Sequence, residues 1–317
     1  MALKVVALAG GVGGAKLADG LAQVMPPNDL TIVVNTGDDF DHLGLRICPD
    51  LDTVVYTLAG LADPEKGWGR ADESWHFLEA LGQLGGPVWF RLGDRDLALH
   101  VERTRRLGMG ETLSEITQKF CRALGVEVSV LPMSDQTVAT QVVTEDEQIP
   151  FQEYFVERAC RPIVKGFIFA GVEAATPAPG VLQSIHEADF VVLCPSNPWV
   201  SLDPILAIPG VREALYGKHA LGVSPILGNQ AVKGPAAKMF VDLGMEPTAL
   251  CAAEHFKGLL QGWMIDSQDM HLAPRITESG LKVRVSDILM VDGQDRRRLA
   301  AEVLQFGSEL LFGEMMQ

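Results

Sequence analysis

A glycine-rich loop close to the amino terminus is the first feature that could do chemistry. Within seven residues it holds four glycines and a lysine: Gly10, Gly11, Gly13, Gly14 and Lys16. Glycines let backbone N–H groups approach an anion, and the start of a helix adds its positive end. The loop does not match GxxxxGK(S/T), because Ala15 and Leu17 stand at fixed positions of that pattern, and it also breaks GxGxxG. We expect it to bind a phosphate or nucleotide; a tight turn without a ligand is the alternative.

Aspartates form a second cluster, between residues 38 and 52. The cluster contains Asp38, Asp39, Asp41, Asp50 and Asp52. Carboxylates this close repel one another unless solvent, a hydrogen-bond donor or a cation compensates their charge. Mg2+ prefers such oxygen ligands, and it usually takes one or two protein carboxylates. We expect metal binding within this group. The alternatives are that Asp50 or Asp52 caps a helix beginning near Leu51 and that the others lie in a solvated loop.

A charged segment and a tryptophan leave two interpretations open. Residues 91–96 read RLGDRD, beginning with Arg91. Their guanidinium groups either hold a polar ligand by forked hydrogen bonds or join a surface network of ion pairs. Trp68 is flanked by glycines. We expect it to pack on a neighbouring side chain, with stacking on a planar ligand as the alternative.

Two later turns offer neutral hydrogen-bonding groups. Residues 195–198 read PSNP and residues 224–229 read SPILGN, and each turn follows an apolar run. Ser196, Asn197 and Asn229 can bond to a phosphate or a base, while proline stiffens the turn. We expect both turns to join the glycine loop in a single nucleotide crevice.

The elements that position these residues follow from the apolar pattern. Residues 3–10 and 30–36 are runs typical of strands buried on both faces. Between them Leu17, Leu21 and Val24 predict a helix, so the unit is βαβ and the sheet is parallel. Further buried strands are predicted over 164–171, 189–195 and 219–228, and helices over 180–187, 204–216, 234–243 and 294–312. Ligands bind at the carboxyl ends of such strands, so the loops that follow them should meet.

The middle of the chain has a different pattern. Helices are predicted over 73–84 and 96–124, and short strands over 126–131 and 137–144. We therefore predict an α/β fold in which residues 1–60 and 165–317 form a Rossmann-like nucleotide-binding core. Its sheet should be mostly parallel, with helices on both faces. Residues 61–164 are predicted to be a large, mainly helical insertion. We expect it to help form the pocket for a ligand that binds beside the nucleotide.

Composition excludes several classes of protein. The 317 residues carry 26 Lys and Arg against 41 Asp and Glu, and the net charge of −15 disfavours a nucleic-acid surface. Five scattered cysteines without a CxxC pair predict neither a disulfide framework nor a zinc site, and we expect them to be buried. No apolar run is as long as a membrane span, and the amino terminus lacks a signal-peptide pattern. We expect a cytoplasmic protein without a membrane partner.

Several motifs together resemble one enzyme family. In chain order they are GGVGGAK, VVNTGDD, RICPDLDTVVYTLAG, GWGR, LGDRD, LPMSD, CPSNPWVS and SPILGN. They run from residue 5 to about residue 260 and resemble the 2-phospho-L-lactate transferases, which act in the biosynthesis of the deazaflavin coenzyme F-420. The combination of PDLDT, LGDRD and SNP is the specific part of the match. The RICPDLDT and GWGR forms are similar to the bacterial branch.

This resemblance implies substrates, a cofactor and an assembly. The donor would be a guanylylated three-carbon acid, either lactyl-2-diphospho-5'-guanosine or enolpyruvyl-diphospho-5'-guanosine. The acceptor would be Fo, 7,8-didemethyl-8-hydroxy-5-deazariboflavin. The products would be GMP and coenzyme F-420-0 or its dehydro form. The resemblance further implies a requirement for Mg2+, a homodimer, Fo binding at Asp52, Thr53 and Arg91, and guanosine diphosphate at the glycine loop and the SNP turn.

Phosphoryl-transfer chemistry then suggests roles for individual residues. The terminal ribityl hydroxyl of Fo would attack the phosphorus that carries the acid, and GMP would leave in line. Asp50, with Asp38 or Asp39, would hold Mg2+. Asp52 would orient or deprotonate the hydroxyl, so Asp50 and Asp52 are the candidate catalytic residues. The N–H groups of residues 11–14 would hold the departing phosphate.

Two other classes of protein compete with this hypothesis. A non-catalytic, nucleotide-sugar-binding regulator on a similar glycine-loop scaffold would not need PDLDT together with LGDRD, and it would ignore Fo. An NAD-dependent oxidoreductase would turn over nicotinamide, and the broken GxGxxG pattern speaks against it. Another transferase of nucleotide-diphosphate-linked groups is the runner-up among enzymes. The identity of the three-carbon acid stays open, because small groups differ by only about 1–3 kcal/mol in such pockets.

Overall fold

Strands and helices alternate along the chain in the computed structural model, which describes residues 3–232 and 234–313. The strands are β1 (Val5–Ala9), β2 (Leu30–Val34), β3 (Phe40–His42), β4 (Leu45–Ile47), β5 (Ser129–Pro132), β6 (Ala139–Val143), β7 (Gln148–Pro150), β8 (Gly166–Ala170), β9 (Phe190–Leu193), β10 (His219–Val223), β11 (Ile226–Leu227), β12 (Gln230–Ala231), β13 (Gly262–Asp266) and β14 (Lys282–Ser286). The helices are α1 (Gly11–Val24), α2 (Pro49–Leu58), α3 (His76–Gln83), α4 (Asp94–Gly108), α5 (Leu113–Ala123), α6 (Val181–Glu187), α7 (Asp203–Ala207), α8 (Val211–Leu215), α9 (Ala236–Asp242), α10 (Ala249–His255), α11 (Ala273–Glu278) and α12 (Gly293–Gly313). Short π-helical segments span Glu153–Glu157 and Pro198–Leu202.

The centre of the fold is a seven-stranded sheet in the order β14-β13-β10-β9-β1-β2-β5. Every neighbouring pair is parallel; for example, Val5 of β1 lies opposite Leu30 of β2 and Phe190 of β9. The helix between β1 and β2 ends at Val24, before the two prolines, as the sequence predicts. The predicted α/β fold with a parallel sheet is therefore confirmed.

Helices cover both faces of this sheet because successive side chains of a strand point in opposite directions. Val5, Ala7 and Ala9 of β1 pack in one cluster with side chains from α1, α2 and α12. Val6 and Leu8 pack in the other cluster, with side chains from α6, α7 and α8. All five residues of β1 are buried, which explains why this strand reads as an unbroken apolar run.

The predicted strand over 164–171 is wrong as a member of the buried parallel sheet. Its central part, β8, pairs antiparallel with β6 in a separate sheet of order β7-β6-β8. Phe167 and Phe169 are half-buried, whereas Ile168 between them is exposed. A strand with one solvated face suits an antiparallel sheet, and the bulk of these side chains had suggested burial on both faces.

Two other predicted elements differ in extent, and two strands are absent from the prediction. The helix expected over 204–216 is interrupted before Gly210, which has a φ of +89°, and becomes α7 and α8. The strand expected over 219–228 ends at Val223, and β11 and β12 then form a small hairpin. Two strands of the central sheet, β13 and β14, were not predicted, although the apolar residues of β13 are fully buried.

The segment 61–164 contains three helices and also contributes to the central sheet. Its strand β5 lies at the sheet edge, parallel to β2. Helix α5 begins with a capping box between Thr112 and Glu115. The limits of this segment as an insertion stay a prediction.

The cysteines follow the expectation for most positions. All five are free thiols; Cys48, Cys121 and Cys194 are buried, while Cys160 and Cys251 are half-buried. Among the described residues, none of the helices combines the length and apolar character needed to cross a bilayer.

Candidate active site

A cavity of about 640 Å³ opens at the carboxyl ends of the central strands. Most of the predicted site residues line it: Gly10, Gly11, Gly13, Lys16, Asp38, Asp50, Asp52, Thr53, Arg91, Ser196 and Asn197. Three predicted residues are not part of its lining: Gly14, Asp39 and Asn229. The structure thus brings the glycine loop, the aspartates and the SNP turn to one site, as expected from the strand order.

The glycines permit close approach of three chain segments. A Cβ atom built at Gly10 would lie within 3.0 Å of Asp50, and one at Gly13 would overlap the carbonyl oxygen of Pro195. Gly14 approaches the Ser196 hydroxyl in the same way. The glycine loop, which from Gly11 onward forms the start of α1, is therefore packed tightly against the SNP turn and the start of α2.

The SNP turn is held to the glycine loop by hydrogen bonds. The Ser196 hydroxyl donates to the Gly10 carbonyl at 2.8 Å and accepts from the Gly10 N–H at 3.2 Å. Asn197 accepts from the Trp199 N–H at 3.1 Å and so caps the π-helical segment that follows. The Lys16 ammonium donates to the Met290 carbonyl at 2.6 Å. A nucleotide role for these residues stays a prediction.

Asn229 lies at the tip of the β11–β12 hairpin. It is exposed and has a φ of +65°, and Gly228 before it has a φ of +52°. Two successive residues with positive φ form the turn that suits a two-residue hairpin loop. This turn geometry accounts for the glycine and asparagine of SPILGN without a ligand.

Asp50 does not cap its own helix. The residue before α2 is Cys48, and no side chain caps this helix. Asp50 instead accepts the Gly11 N–H at 2.6 Å, at the start of α1. The suggestion that Asp50 or Asp52 caps the helix beginning near Leu51 is wrong, because both carboxylates are engaged by partners on other elements.

Asn35 bridges two carboxylates on the cavity wall. Its side-chain oxygen accepts the Gly37 N–H at 2.8 Å, which fixes the orientation of the amide. Its nitrogen therefore faces Asp50 at 2.9 Å and Asp38 at 3.3 Å. Gln152 donates to the other oxygen of Asp38 at 3.2 Å. These donors are neutral, so the two negative charges are not compensated by any of them.

Burial makes this acidic cluster electrostatically unfavourable. It raises the pKa of Asp50 to about 6, although hydrogen bonds from Asn35 and Gly11 oppose the rise. Burial and the charge of Asp50 raise the pKa of Asp38 well above its ordinary value. Asp39 lies behind the cavity, where burial raises its pKa to about 7 even though Arg46 is 3.6 Å away. A cation beside Asp38 and Asp50 would relieve this strain.

The acids do not form a cage made only of protein ligands. Across residues 3–232 and 234–313, no three His, Cys, Asp or Glu side chains are arranged to hold a metal ion. Asp38 and Asp50 face the cavity together, whereas Asp39 does not line it. Metal binding by these aspartates stays a prediction.

Asp52 is paired with a buried arginine that was not predicted. Arg103 of α4 donates from Nη1 to one carboxylate oxygen of Asp52 at 3.1 Å, and its Nη2 pairs with the other oxygen. Burial raises the pKa of Asp52, and the guanidinium charge acts against that rise. Asp52 is thus the one aspartate of the cavity wall whose charge a guanidinium compensates directly.

A carboxylate of α4, that of Asp96, also faces the cavity. Asp96 accepts the Tyr56 hydroxyl at 2.7 Å, and its other oxygen lies 3.3 Å from His100 Nε2. Although burial opposes it, the hydrogen bonds from His100 and Tyr56 hold the pKa of Asp96 below its ordinary value. The spacing of 96, 100 and 103 on one helical face was the signal that could have revealed this cluster.

The RLGDRD segment mainly takes part in capping the amino-terminal ends of α3 and α4. Asp94 accepts the Phe77 N–H at 3.0 Å at the start of α3, and Glu73 accepts the N–H groups of Arg95 and Asp96, both at 2.8 Å, at the start of α4. Arg91 lies over the Trp75 ring at 4.3 Å and reaches the cavity. Of the two interpretations of this segment, the ligand grip therefore remains open for Arg91.

Aromatic side chains form another part of the cavity wall. The cavity is lined by Tyr56, Trp68, Trp89, Phe90, Phe151 and Phe155. Phe151 and Phe155 are stacked with ring centres 5.5 Å apart, and Trp89 packs edge-on to Phe90. Trp68 is 41% exposed, with the Lys66 ammonium 5.9 Å from its ring. Such flat apolar surfaces can stack on a planar ligand.

Fold and site define an α/β protein with a ligand cavity at the carboxyl edge of a parallel sheet. In solved structures, a member of the UPF0052 family from Bacillus halodurans has the same fold, with TM-scores of 0.63 and 0.65 at 15% identity, over 96% of this chain and 99–100% of that one. The family model for 2-phospho-L-lactate transferase CofD matches residues 5–305, and the chain belongs to this family. The resemblance found in the motifs is therefore confirmed.

The curated relatives are similar over their whole length. Phosphoenolpyruvate transferase from Streptomyces coelicolor is 43% identical over 97% of this chain and 99% of its own length. The enzyme of the same name from Streptomyces avermitilis is 45% identical over the same shares. Family membership makes the chain a transferase, and it favours this class over the regulator and the NAD-dependent oxidoreductase.

Proposed function

We propose that this chain transfers a phosphoenolpyruvyl or phospholactyl group from a guanosine-diphosphate-linked donor to the ribityl hydroxyl of Fo. The products are GMP and dehydro coenzyme F-420-0 or coenzyme F-420-0. The names of the curated relatives favour the enolpyruvyl donor. The role belongs to the biosynthesis of coenzyme F-420, and we expect it to be carried out in the cytoplasm.

The observation that carries the proposal is the joining of two dissimilar surfaces in one cavity. One is the backbone of the glycine loop with the SNP turn, and the other is the acidic and aromatic wall. Backbone N–H groups at a helix start suit a diphosphate, and aromatic rings suit a flat tricyclic ring system. The volume of about 640 Å³ lies within the usual range of about 300–1,000 Å³ for small-molecule sites.

The reaction follows from this placement. The hydroxyl oxygen of Fo forms the new bond to the phosphorus that carries the acid, and the bond from that phosphorus to the GMP oxygen breaks. Asp52 accepts the hydrogen bond of the hydroxyl and takes its proton, with Thr53 and Arg91 holding the rest of Fo. The glycine loop, Lys16 and the SNP turn bind the departing nucleotide. Most of the catalysis is then positioning.

The donor groups present fit Mg2+. Asp38 and Asp50 are buried, face the cavity and repel each other across the neutral amide of Asn35. When bound there, Mg2+ would supply positive charge against the oxygens of the diphosphate. Two carboxylates are the number that this ion usually takes from a protein.

A transfer assay tests the proposal. The purified chain is incubated with Fo, MgCl2 and each guanylylated acid in turn, and the products are identified by mass spectrometry. We expect a deazaflavin product together with GMP, and no product when EDTA replaces MgCl2. Absence of product with all donors would overturn the function. Near wild-type transfer in both Asp50→Ala and Asp52→Ala would overturn the mechanism.

We also propose that the enzyme works as a homodimer. Helix α3 has no buried residue in the single chain. Near it, Leu84 and Val88 are exposed by 86% and 45%, an arrangement that favours cover by another chain. Light scattering after gel filtration should give twice the mass of 34.3 kDa; a mass of one chain would contradict the proposal.

A further inference from the structure

One face of helix α4 connects the cavity to the protein interior. Asp96, His100 and Arg103 are spaced four and three residues apart, so they share this face. Asp96 and His100 line the cavity, whereas Arg103 lies behind them and is only 1% exposed. A buried guanidinium is stable only when it is paired, and the groups that pair with Arg103 indicate its role.

Arg103 fixes the carboxylate of Asp52. Both terminal nitrogens engage this carboxylate, one on each oxygen. The Nη1 group also donates to the Arg46 carbonyl at 3.3 Å, which anchors the guanidinium to the β4 strand. A planar fork that holds both oxygens defines the plane of the carboxylate, whereas a lysine can only make a point contact.

Arg103 also determines the tautomer of His100. Its Nη1 lies 3.2 Å from His100 Nδ1. A guanidinium has no acceptor, so Nδ1 cannot donate to it; with the two Nη1 protons shared among Asp52, Arg46 and Nδ1, the contact favours a lone pair on Nδ1 and the ring proton on Nε2. This Nε2 is the atom that faces Asp96 at 3.3 Å.

We propose that Arg103 is the positioning residue of the acceptor end of the site, holding the Asp52 carboxylate in one orientation and His100 as its Nε2–H tautomer. The inference rests on the proposed function, because that function places the acceptor alcohol at Asp52. Arg103 does not line the cavity, so it acts through Asp52 and His100 and not by touching a substrate.

A double-mutant cycle tests this coupling. The variants are Asp52→Asn, Arg103→Met, their combination and Arg103→Lys, each assayed for kcat/KM with Fo and for GDP affinity. We expect each single change to lower kcat/KM by about 100-fold, as for a misplaced reacting group, with GDP affinity unchanged. The combined variant should be within about threefold of the poorer single variant, because the two residues act as one unit. The kcat/KM of Arg103→Lys should lie between that of the wild type and that of Arg103→Met.

The matched control is Arg105→Met on the same helix. Arg105 is exposed, and its contacts to Glu102 and Met109 stay on the same helix, so this variant should retain wild-type kcat/KM. If Arg103→Met does not fold, the combined variant and Arg103→Lys carry the test, since neither leaves Asp52 as a buried charge without a partner. Additive losses, or equal losses of Fo turnover and GDP affinity, would overturn the inference.

The tautomer provides a readout that does not depend on turnover. With 15N-labelled histidine, NMR should show His100 as Nε2–H in the wild type and altered in Arg103→Met, with His100→Asn identifying its signals. An Nδ1–H or doubly protonated ring in the wild type would overturn the inference. A wild-type chain that binds no Fo would instead overturn the proposed function, and the NMR result would still judge the contact to Arg103.

Discussion

The two ends of the cavity are built in contrasting ways. At the nucleotide end the chain omits side chains: Gly10 and Gly13 lie so close to Asp50 and Pro195 that a Cβ atom would not fit. The acceptor end is the part of the cavity around Asp52, where the alcohol of Fo is proposed to bind. There the chain pairs opposite charges: Asp52 forms an ion pair with Arg103 of α4, 51 residues later in the chain. The first end depends on shape and the second on electrostatic pairing. Added volume should therefore damage the former, and altered charge should damage the latter.

The largest effect is expected from added volume at Gly13. In Gly13→Ala the new methyl group would overlap the Pro195 carbonyl oxygen, which is backbone and cannot move aside cheaply. We expect a loss of about 3 kcal/mol in the free energy of unfolding, together with loss of GDP binding. Urea denaturation measures the free energy of unfolding, and calorimetric titration with GDP measures the binding.

The control for this change is Gly108→Ala in α4, where no atom lies within 4 Å of the added Cβ. There we expect unchanged or slightly increased stability, by up to about 1 kcal/mol. If Gly13→Ala behaved like Gly108→Ala, the nucleotide end would not depend on close packing.

Asp50→Asn should separate activity from stability. The change removes one of two mutually repelling carboxylates, so the free energy of unfolding at pH 8 should be unchanged or higher. Transfer should fall by about 100-fold or more, because charge is lost where the diphosphate and metal are expected to bind. The control is Asp41→Asn, whose side chain is 76% exposed in the same aspartate run. If Asp41→Asn and Asp50→Asn changed the transfer activity by the same factor, a functional role for Asp50 would be contradicted.

The pH dependence of stability should expose the buried charge of Asp39. Its pKa is about 7 in the folded chain against 3.8 as the ordinary value, so the folded state holds this proton more tightly. The stabilisation is complete below the ordinary value and is lost as the pH rises through 7. Between pH 5 and pH 8 the wild type should therefore lose about 2–3 kcal/mol relative to Asp39→Asn.

Urea denaturation of both proteins at each pH measures this difference. Asp41→Asn again serves as the comparison, because Asp41 also pairs with Arg46 but its side chain is 76% exposed. If the free energies of unfolding of the wild type and of Asp39→Asn changed with pH in parallel, burial would not disfavour the charged form of the Asp39 carboxyl.

The smallest effect is expected at Asn229. Glycine accepts the φ of +65° at this turn, so Asn229→Gly should change the free energy of unfolding by less than about 0.5 kcal/mol. GDP affinity should stay within about twofold of the wild type, because this exposed residue does not line the cavity. A tenfold loss of GDP affinity would instead support the nucleotide role predicted from the sequence.

The sequence predicted the elements whose signals are local. β1, α1 and β2 follow from runs and spacings within about 35 residues, and the glycine loop and the PDLDT motif fall at the ends of such elements. It misplaced β8, because apolar bulk alone does not distinguish a strand with one solvated face from a strand covered on both. It missed Arg103 and His100: their spacing from Asp96 indicates a shared helical face, but no pattern within that segment shows that this face meets Asp52.

The sequence by itself determined the α/β fold, the family and the chemical kinds of group at the site, because hydrophobic period and motif spacing are carried by neighbouring residues. Only the tertiary structure decided which charges are paired. Asp52 is compensated by Arg103, whereas Asp38 and Asp50 share the neutral amide of Asn35. The reason is physical: the energy of a buried charge depends on what folding brings within a few ångströms of it. For Asp52 that group is Arg103 of α4, and for Asp38 it includes Gln152, 114 residues later in the chain.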